Sequence, residues 1–167
     1  MFIALPRRLP TPVRMIHHLD RWTPLRLKRQ LLEPQLNQLF GDYIAAGEFD
    51  LLEGRFISLR LRDLDISITL TLANERLQLS QLPGEVEISG DLPTFLQLAR
   101  QEADADGLFF QRKLLLEGDT ELGLGVRNLL DSLEWSIQDS RLGAIALRLE
   151  VLLRQRLPGA ERWFGTA

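Results

Sequence analysis

The sequence predicts an α+β domain in which a small sheet is covered by helices on one face. Between residues 55 and 90, apolar and polar side chains alternate in four short runs, the pattern of strands with one buried face. Twice, at Gly90-Asp91 and at Gly118-Asp119, a strand pattern passes into an apolar stretch with helical spacing. At 167 residues the chain is long enough to bury one core of its own.

Composition and charge divide the chain into three segments. Residues 1–22 form a basic, proline-containing N-terminal arm, and residues 1–30 carry seven Lys or Arg residues against a single Asp. Residues 23–140 contain the patterns of the domain. Residues 141–167 contain an apolar stretch from Leu142 to about Leu157, which predicts an amphipathic C-terminal helix with a wide apolar face, followed by a tail.

Local signals set the expected elements of the domain. Thr23-Pro24 begins a helix that Gly47 ends, and Pro34 predicts either a kink or a junction between two helices. The alternating runs and their short polar turns predict an antiparallel meander of four strands, with a fifth strand after the first Gly-Asp helix. These strands are expected at residues 55–62, 65–72, 76–80, 85–90 and 113–116.

Aspartates and glycines mark the ends of these elements. Asp91 and Asp119 are expected to cap the helices that follow them. The acidic run at 102–107 predicts a solvated turn, because Lys113 occupies the position where a calcium loop needs a bidentate carboxylate. The glycines of Gly123-Leu124-Gly125 lie inside a helix, so either a packed strand or a ligand must approach that backbone closely.

Catalytic and metal-binding signatures are missing from the sequence. The chain has no cysteine, which excludes a disulfide framework and thiolate metal sites. Its only histidines, His17 and His18, are adjacent and would point in different directions on a helix. Because no nucleophile, phosphate-binding or zinc motif is present, we expect no enzyme activity, no metal and no cofactor. The basic arm lacks interleaved aromatics, so nucleic acid is not an expected partner.

Apolar side chains are abundant around the two Gly-Asp helix starts. They form either an ordinary leucine-rich core or the wall of a site for a long apolar ligand, which requires few polar partners. The candidate lipid-binding residues are Leu92, Phe95, Leu96, Phe109, Phe110, Leu122, Gly125, Val126, Leu129 and Leu130.

Two stretches of sequence resemble a known family. Residues 108–131, which read from Leu108-Phe-Phe-Gln-Arg-Lys through Gly118-Asp119 to Asp131, are similar to the C-terminal half of sterol carrier protein 2-type lipid-binding domains. Ser89-Gly90-Asp91-Leu92 resembles the other Gly-Asp element of that family. Further short segments resemble a bacterial branch of it, the accessory factors of ubiquinone biosynthesis. These segments are Thr23-Pro24-Leu25, Lys28-Arg29-Gln30, Leu52-Glu53-Gly54-Arg55 and Arg62-Asp63-Leu64-Asp65.

The resemblance implies a fold and a function. It implies a sheet of about five mostly antiparallel strands, with helices packed on one face around an apolar tunnel. It also implies a noncatalytic factor of oxygen-independent ubiquinone biosynthesis that holds prenylated ubiquinone precursors or phospholipid. Its expected partners are pathway proteins, including peptidase-like hydroxylation proteins. The alternative is a scaffold for the pathway enzymes that holds no lipid.

Lipid must be loaded from a membrane, so we also expect transient contact with an anionic membrane surface. The expected contact residues are Arg7, Arg8 and Arg14 in the arm and Trp163 and Phe164 in the tail. No apolar run reaches the length of about 18 residues that spans a bilayer, and the proline-broken N-terminus does not resemble a secretory signal. The expected location is the cytoplasm, with peripheral contact at the inner face of the cytoplasmic membrane.

Overall fold

A computed structural model describes residues 23–133, together with Arg148 and Val151, which are both helical. The expectations for the basic arm and most of those for the C-terminal helix and tail fall on residues outside this part. The same holds for the membrane-contact residues Arg7, Arg8, Arg14, Trp163 and Phe164.

The described part begins with two helices, α1 (Leu25–Leu39) and α2 (Gly41–Ala45), and a short 3-10 helix at Asp50–Leu52. Helix α1 runs through Pro34, so of the two alternatives for this position the junction between two helices is excluded. The chain changes helix only at Phe40. Gly47 ends this region with a φ of 81°, a conformation that suits glycine.

Five strands form one sheet in the order β3-β2-β1-β4-β5. Their bounds are β1 (Ile57–Leu61), β2 (Ile66–Ala73), β3 (Arg76–Ser80), β4 (Val86–Gly90) and β5 (Leu115–Gly118). All neighbours pair antiparallel except β1 and β4, which are parallel. The expected five-stranded, mostly antiparallel sheet is therefore confirmed, but the expected meander of four strands is wrong.

The meander fails because residues 81–85 cross the polar face of the sheet to reach the far side of β1. The Gly84 N–H donates to Ser58 Oγ at 3.1 Å, and the Glu85 N–H donates to the carbonyl oxygen of Phe56 at 2.8 Å. A Cβ on Gly84 would lie 2.5 Å from the Ser58 backbone nitrogen. The lack of a side chain at Gly84 thus lets five residues make a crossover that normally takes a dozen.

Three further helices follow the first four strands: α3 (Leu92–Ala99), α4 (Ala105–Phe110) and α5 (Thr120–Ser132). Helix α4 replaces the second half of the solvated turn expected at 102–107. The Asp104 carboxylate accepts the Gly107 N–H at 2.6 Å and so caps this helix. The acidic run therefore begins a helix. In sequence, a short polar stretch that caps a helix looks the same as one that forms a turn.

Helix α1 is attached to the sheet by hydrogen bonds to its edge strand β3. Arg29 donates through Nε and Nη2 to the Leu79 carbonyl oxygen, while Glu33 Oε1 accepts the Leu79 N–H at 2.8 Å. Asn37 Oδ1 accepts the Leu77 N–H, and Asn37 Nδ2 donates to the Leu77 carbonyl oxygen at 2.8 Å. These side chains satisfy backbone groups that an edge strand otherwise leaves open. Because they lie on both sides of Pro34, they also hold the helix together across the proline.

Candidate functional site

The helices and the sheet enclose an apolar cavity with a volume of about 350 Å³. Helices α1, α3 and α5 form three walls, and one face of the sheet forms the fourth. Every described residue that lines the cavity is aliphatic or aromatic. They are Leu36, Leu39, Phe40, Phe49, Leu52, Ile57, Leu59, Leu70, Leu77, Ile88, Leu92, Phe95, Leu96, Leu98, Ala99, Val126, Leu129, Leu130 and Leu133.

The cavity wall follows from two periodicities in the sequence. In β1, Ile57 and Leu59 point to the same face because strand side chains alternate, and they meet the cavity together. On α3, apolar residues at 92, 95, 96 and 99 follow the one-face pattern of a helix, as do those at 126, 129, 130 and 133 along α5. The part of the wall formed by described residues is therefore apolar on the strand and on both helices.

The cavity has the size of a small ligand pocket. Ligand pockets measure about 300–1,000 Å³, and this cavity lies at the lower end of that range.

Six of the ten candidate lipid-binding residues line the cavity, all of them on α3 and α5. They are Leu92, Phe95, Leu96, Val126, Leu129 and Leu130. Their contact with lipid stays a prediction.

The other four candidates lie elsewhere. Phe110 is 90% exposed, while Phe109 is half-buried beneath Arg127, whose guanidinium carbon lies 5.5 Å from the ring centre. Both residues end helix α4, which does not border the cavity. Leu122 is buried in the core outside the cavity. Gly125 does not line the cavity either.

The two glycines of α5 are explained by packing. A Cβ on Gly123 would overlap the side chain of Leu116 on β5, so the neighbouring strand is what approaches this backbone. A Cβ on Gly125 would meet only Leu51 of the 3-10 helix, at 3.3 Å. Of the two explanations that the sequence left open, a packed neighbour therefore accounts for both positions.

None of the predicted lipid-binding residues lies on α1 or in the sheet, although both border the cavity. Leu36, Leu39, Ile57, Leu59 and Leu70 all line the cavity. A signal for the strand residues was present, because the alternation that identified the strands also separates their inward and outward side chains. No comparable signal shows that α1 closes the cavity, since that depends on its hydrogen bonds to β3.

The two Gly-Asp helix starts differ in structure. Asp119 caps α5 as expected, with its Oδ1 accepting the Leu122 N–H at 2.7 Å. Asp91 makes no such bond, and the Leu92 N–H is instead accepted by both carboxylate oxygens of Asp63 at 3.1 Å. Burial raises the pKa of Asp63, the Leu92 hydrogen bond lowers it, and the charge of Asp91 raises it, with a net shift upward. The α3 wall is thus positioned by a half-buried carboxylate from the β1–β2 turn.

Metal-binding clusters and membrane-spanning helices were both sought among the described residues. Within residues 23–133, no three His, Asp or Glu side chains are grouped so that they could hold a metal ion. No helix in the same part is both long and apolar enough to cross a membrane.

Comparisons with known proteins agree with this geometry. Residues 35–131 match the SCP-2 sterol transfer family. The chain is 39% identical over 145 residues to the ubiquinone biosynthesis accessory factor UbiT of Escherichia coli strain K12, an alignment that covers 86% of this chain and 79% of that protein. The UbiT of Escherichia coli O157:H7 matches to the same extent.

A solved structure supports the fold. The UbiJ-SCP2 ubiquinone synthesis protein superposes with a TM-score of 0.50 at 17% identity, covering 65% of this chain and 97% of that one. The expected sterol carrier protein 2-like α+β fold is confirmed, while a continuous tunnel stays a prediction. The chain therefore belongs to the SCP-2 sterol transfer family and, within it, to the UbiT-type accessory factors of ubiquinone biosynthesis.

Proposed function

We propose that this protein is a noncatalytic lipid carrier of the oxygen-independent route to ubiquinone. In this proposal, the apolar cavity receives the prenyl tail of a ubiquinone precursor and leaves the aromatic head accessible to the enzymes that modify it. The observation that carries the proposal is a cavity of about 350 Å³ whose described lining residues are all apolar, in a chain 39% identical to UbiT.

The chemistry of the wall favours a long hydrocarbon chain. Each methylene that leaves water contributes about 0.8 kcal/mol and needs no polar partner. The precursor head, in contrast, is polar and would find no hydrogen-bond partner among the lining residues. A cavity at the lower end of ligand-pocket volumes holds part of a prenyl tail, so binding leaves the head outside.

Phospholipid acyl chains satisfy the same conditions. The cavity therefore selects for apolar chains as a class, and the pathway assignment depends on the similarity to UbiT. In the proposal, the pathway partners include peptidase-like hydroxylation proteins, and loading takes place at the inner face of the cytoplasmic membrane. The basic arm with Arg7, Arg8 and Arg14 and the tail with Trp163 and Phe164 contribute to that contact.

Organic extraction followed by mass spectrometry tests this proposal. The full-length protein is purified from bacteria that make ubiquinone without oxygen, and its bound lipids are compared with those of an Ala99→Leu variant, in which the cavity is partly filled. We expect prenylated precursors in the wild-type extract and a marked loss from the variant. An extract that contains only phospholipid would support a lipid carrier but would contradict a ubiquinone precursor as its cargo. An extract without lipid would favour the alternative, a scaffold that binds the pathway enzymes.

A further inference from the structure

Phe110 is the most exposed of the large apolar side chains in the described part of the chain. Its exposed fraction is 90%, whereas the others in this group lie between 43% and 60%. Phenylalanine in water at this level of exposure forgoes about 1.5–3 kcal/mol of burial free energy. The position therefore calls for an explanation other than folding.

The turn that carries Phe110 is rigid. It ends α4 in a Schellman motif, in which the Lys113 N–H donates to the Leu108 carbonyl oxygen and the Arg112 N–H donates to that of Phe109, both at 3.0 Å. Arg112 has a φ of 58°, in the left-handed region where glycine is usual. The backbone thus holds Phe110 at the tip in a fixed conformation rather than on a loose loop.

Two cations follow the exposed ring in the sequence. Arg112 and Lys113 are both exposed, and neither makes an ion pair with another described residue. Two carboxylates of this region pair with other cations, Asp106 with Arg127 at 2.7 Å and Asp91 with Arg62 at 3.3 Å. Among the described residues, the tip therefore combines one apolar ring with two cations that form no ion pair.

The backbone at the end of the turn lies beside the start of α3. The Lys113 carbonyl oxygen accepts a hydrogen bond from Arg62 Nη2 at 3.3 Å. A Cβ built on Gly90 would be 3.3 Å from this oxygen and 3.2 Å from Phe95 Cε2, so the Lys113 backbone and the Phe95 ring both border Gly90. Phe95 in turn lines the cavity.

We propose that residues 110–113, which we call the Phe110 turn, are a docking point for an anionic lipid bilayer. The ring of Phe110 enters the boundary between headgroups and acyl chains, while Arg112 and Lys113 contact the headgroups. A bilayer fits better than a protein partner, because the residues that follow Phe110 are Gln111, Arg112 and Lys113. They would extend no apolar contact with a protein, but their charges suit lipid headgroups. This inference rests on the proposed function only in its purpose, the delivery of lipid to the cavity.

Site-specific fluorescence tests the inference directly. The chain has no cysteine, so Phe110→Cys can be labelled with an environment-sensitive dye at a single position. The matched control is Leu82→Cys, at an exposed apolar residue that is 56% accessible and flanked by Gln81 and Pro83. With vesicles of phosphatidylcholine and phosphatidylglycerol in equal amounts, we expect a blue shift at position 110 and none at position 82.

Vesicle flotation of unlabelled variants measures the strength of the contact. Phe110→Ser should lower partition into these vesicles by about tenfold or more, which corresponds to loss of one buried aromatic ring. Arg112→Gly suits the positive φ and removes a charge, so it should weaken binding about fivefold while the fold is retained. Pure phosphatidylcholine vesicles should bind the wild-type protein weakly.

Three outcomes would overturn the inference. The first is flotation of the protein without a shift at position 110, which would assign the membrane contact to another surface. The second is a shift at position 110 only when a pathway protein is added, which would identify the turn as a protein contact. The third is no flotation at all. None of these results changes the lipid content found by extraction, so failure of the docking point is distinguishable from failure of the proposed function.

Discussion

Replacing Ala99 by leucine distinguishes a cavity from a filled core by the sign of the stability change. Ala99 is 5% exposed on α3, and its side chain borders the cavity. Leucine adds three carbon atoms, each worth about 0.8 kcal/mol when buried, and loses about 0.5–1 kcal/mol of side-chain entropy. The lipid-free protein should therefore gain about 1–2 kcal/mol in the free energy of unfolding, while its capacity for lipid falls.

Ala105→Leu is the matched control. Ala105 is 1% exposed in α4 and belongs to the core but does not line the cavity. The same three carbon atoms would overpack this position and lower the free energy of unfolding by about 1–3 kcal/mol. Urea unfolding of the delipidated proteins and the amount of extracted lipid measure the two effects. Equal destabilisation by both substitutions, with lipid content unchanged, would refute the claim that the space beside Ala99 is a lipid site.

Other predictions address the supports of the cavity. Asn37→Ala removes the side chain that bonds the Leu77 N–H and carbonyl oxygen of β3, and urea unfolding should show a loss of about 1–3 kcal/mol. Because the pKa of Asp63 is raised in the native state, the native protein binds this proton more tightly than the unfolded chain does. Its contribution to stability therefore falls as the pH rises from the ordinary aspartate pKa through the raised one. Across that pH range, the free energy of unfolding should decline less steeply for Asp63→Asn than for the wild-type protein. Gly118→Ala introduces a side chain where φ is 118° and the Glu85 carbonyl oxygen is in the way, so thermal unfolding should reveal severe destabilisation. A neutral result for any of these variants would contradict the contact on which its prediction depends.

Local patterns predicted the elements whose residues determine their own structure. Strand β3 occupies the predicted residues 76–80, because its alternating side chains and the turn before it suffice to define it. In that turn, Asn74 and Glu75 both have positive φ, as a two-residue hairpin requires. The Asp119 cap was predictable for the same reason, since its partner lies three residues away.

Features that depend on distant partners were not predictable in this way. The position of β4 beside β1 requires Gly84 to pass over Ser58, which is 26 residues earlier in the chain. The Leu92 N–H is accepted by Asp63 from the β1–β2 turn, although Asp91 is adjacent in sequence. Seven of the nineteen described lining residues come from helix α1 and the sheet, and their meeting with α3 and α5 likewise depends on distant partners. Periodicity shows which side chains turn inward but not which elements close around the same space.

Photo-crosslinking with a prenylated quinone analogue that carries a diazirine in its tail tests the central claim most directly. The full-length protein is loaded with the analogue and irradiated, and the modified peptides are mapped by mass spectrometry. The account predicts labelling of inward-facing residues on α1, α3 and α5, such as Leu36, Phe95 and Leu129. Labelling confined to the outer face of the sheet, or none above that of an unloaded sample, would contradict it.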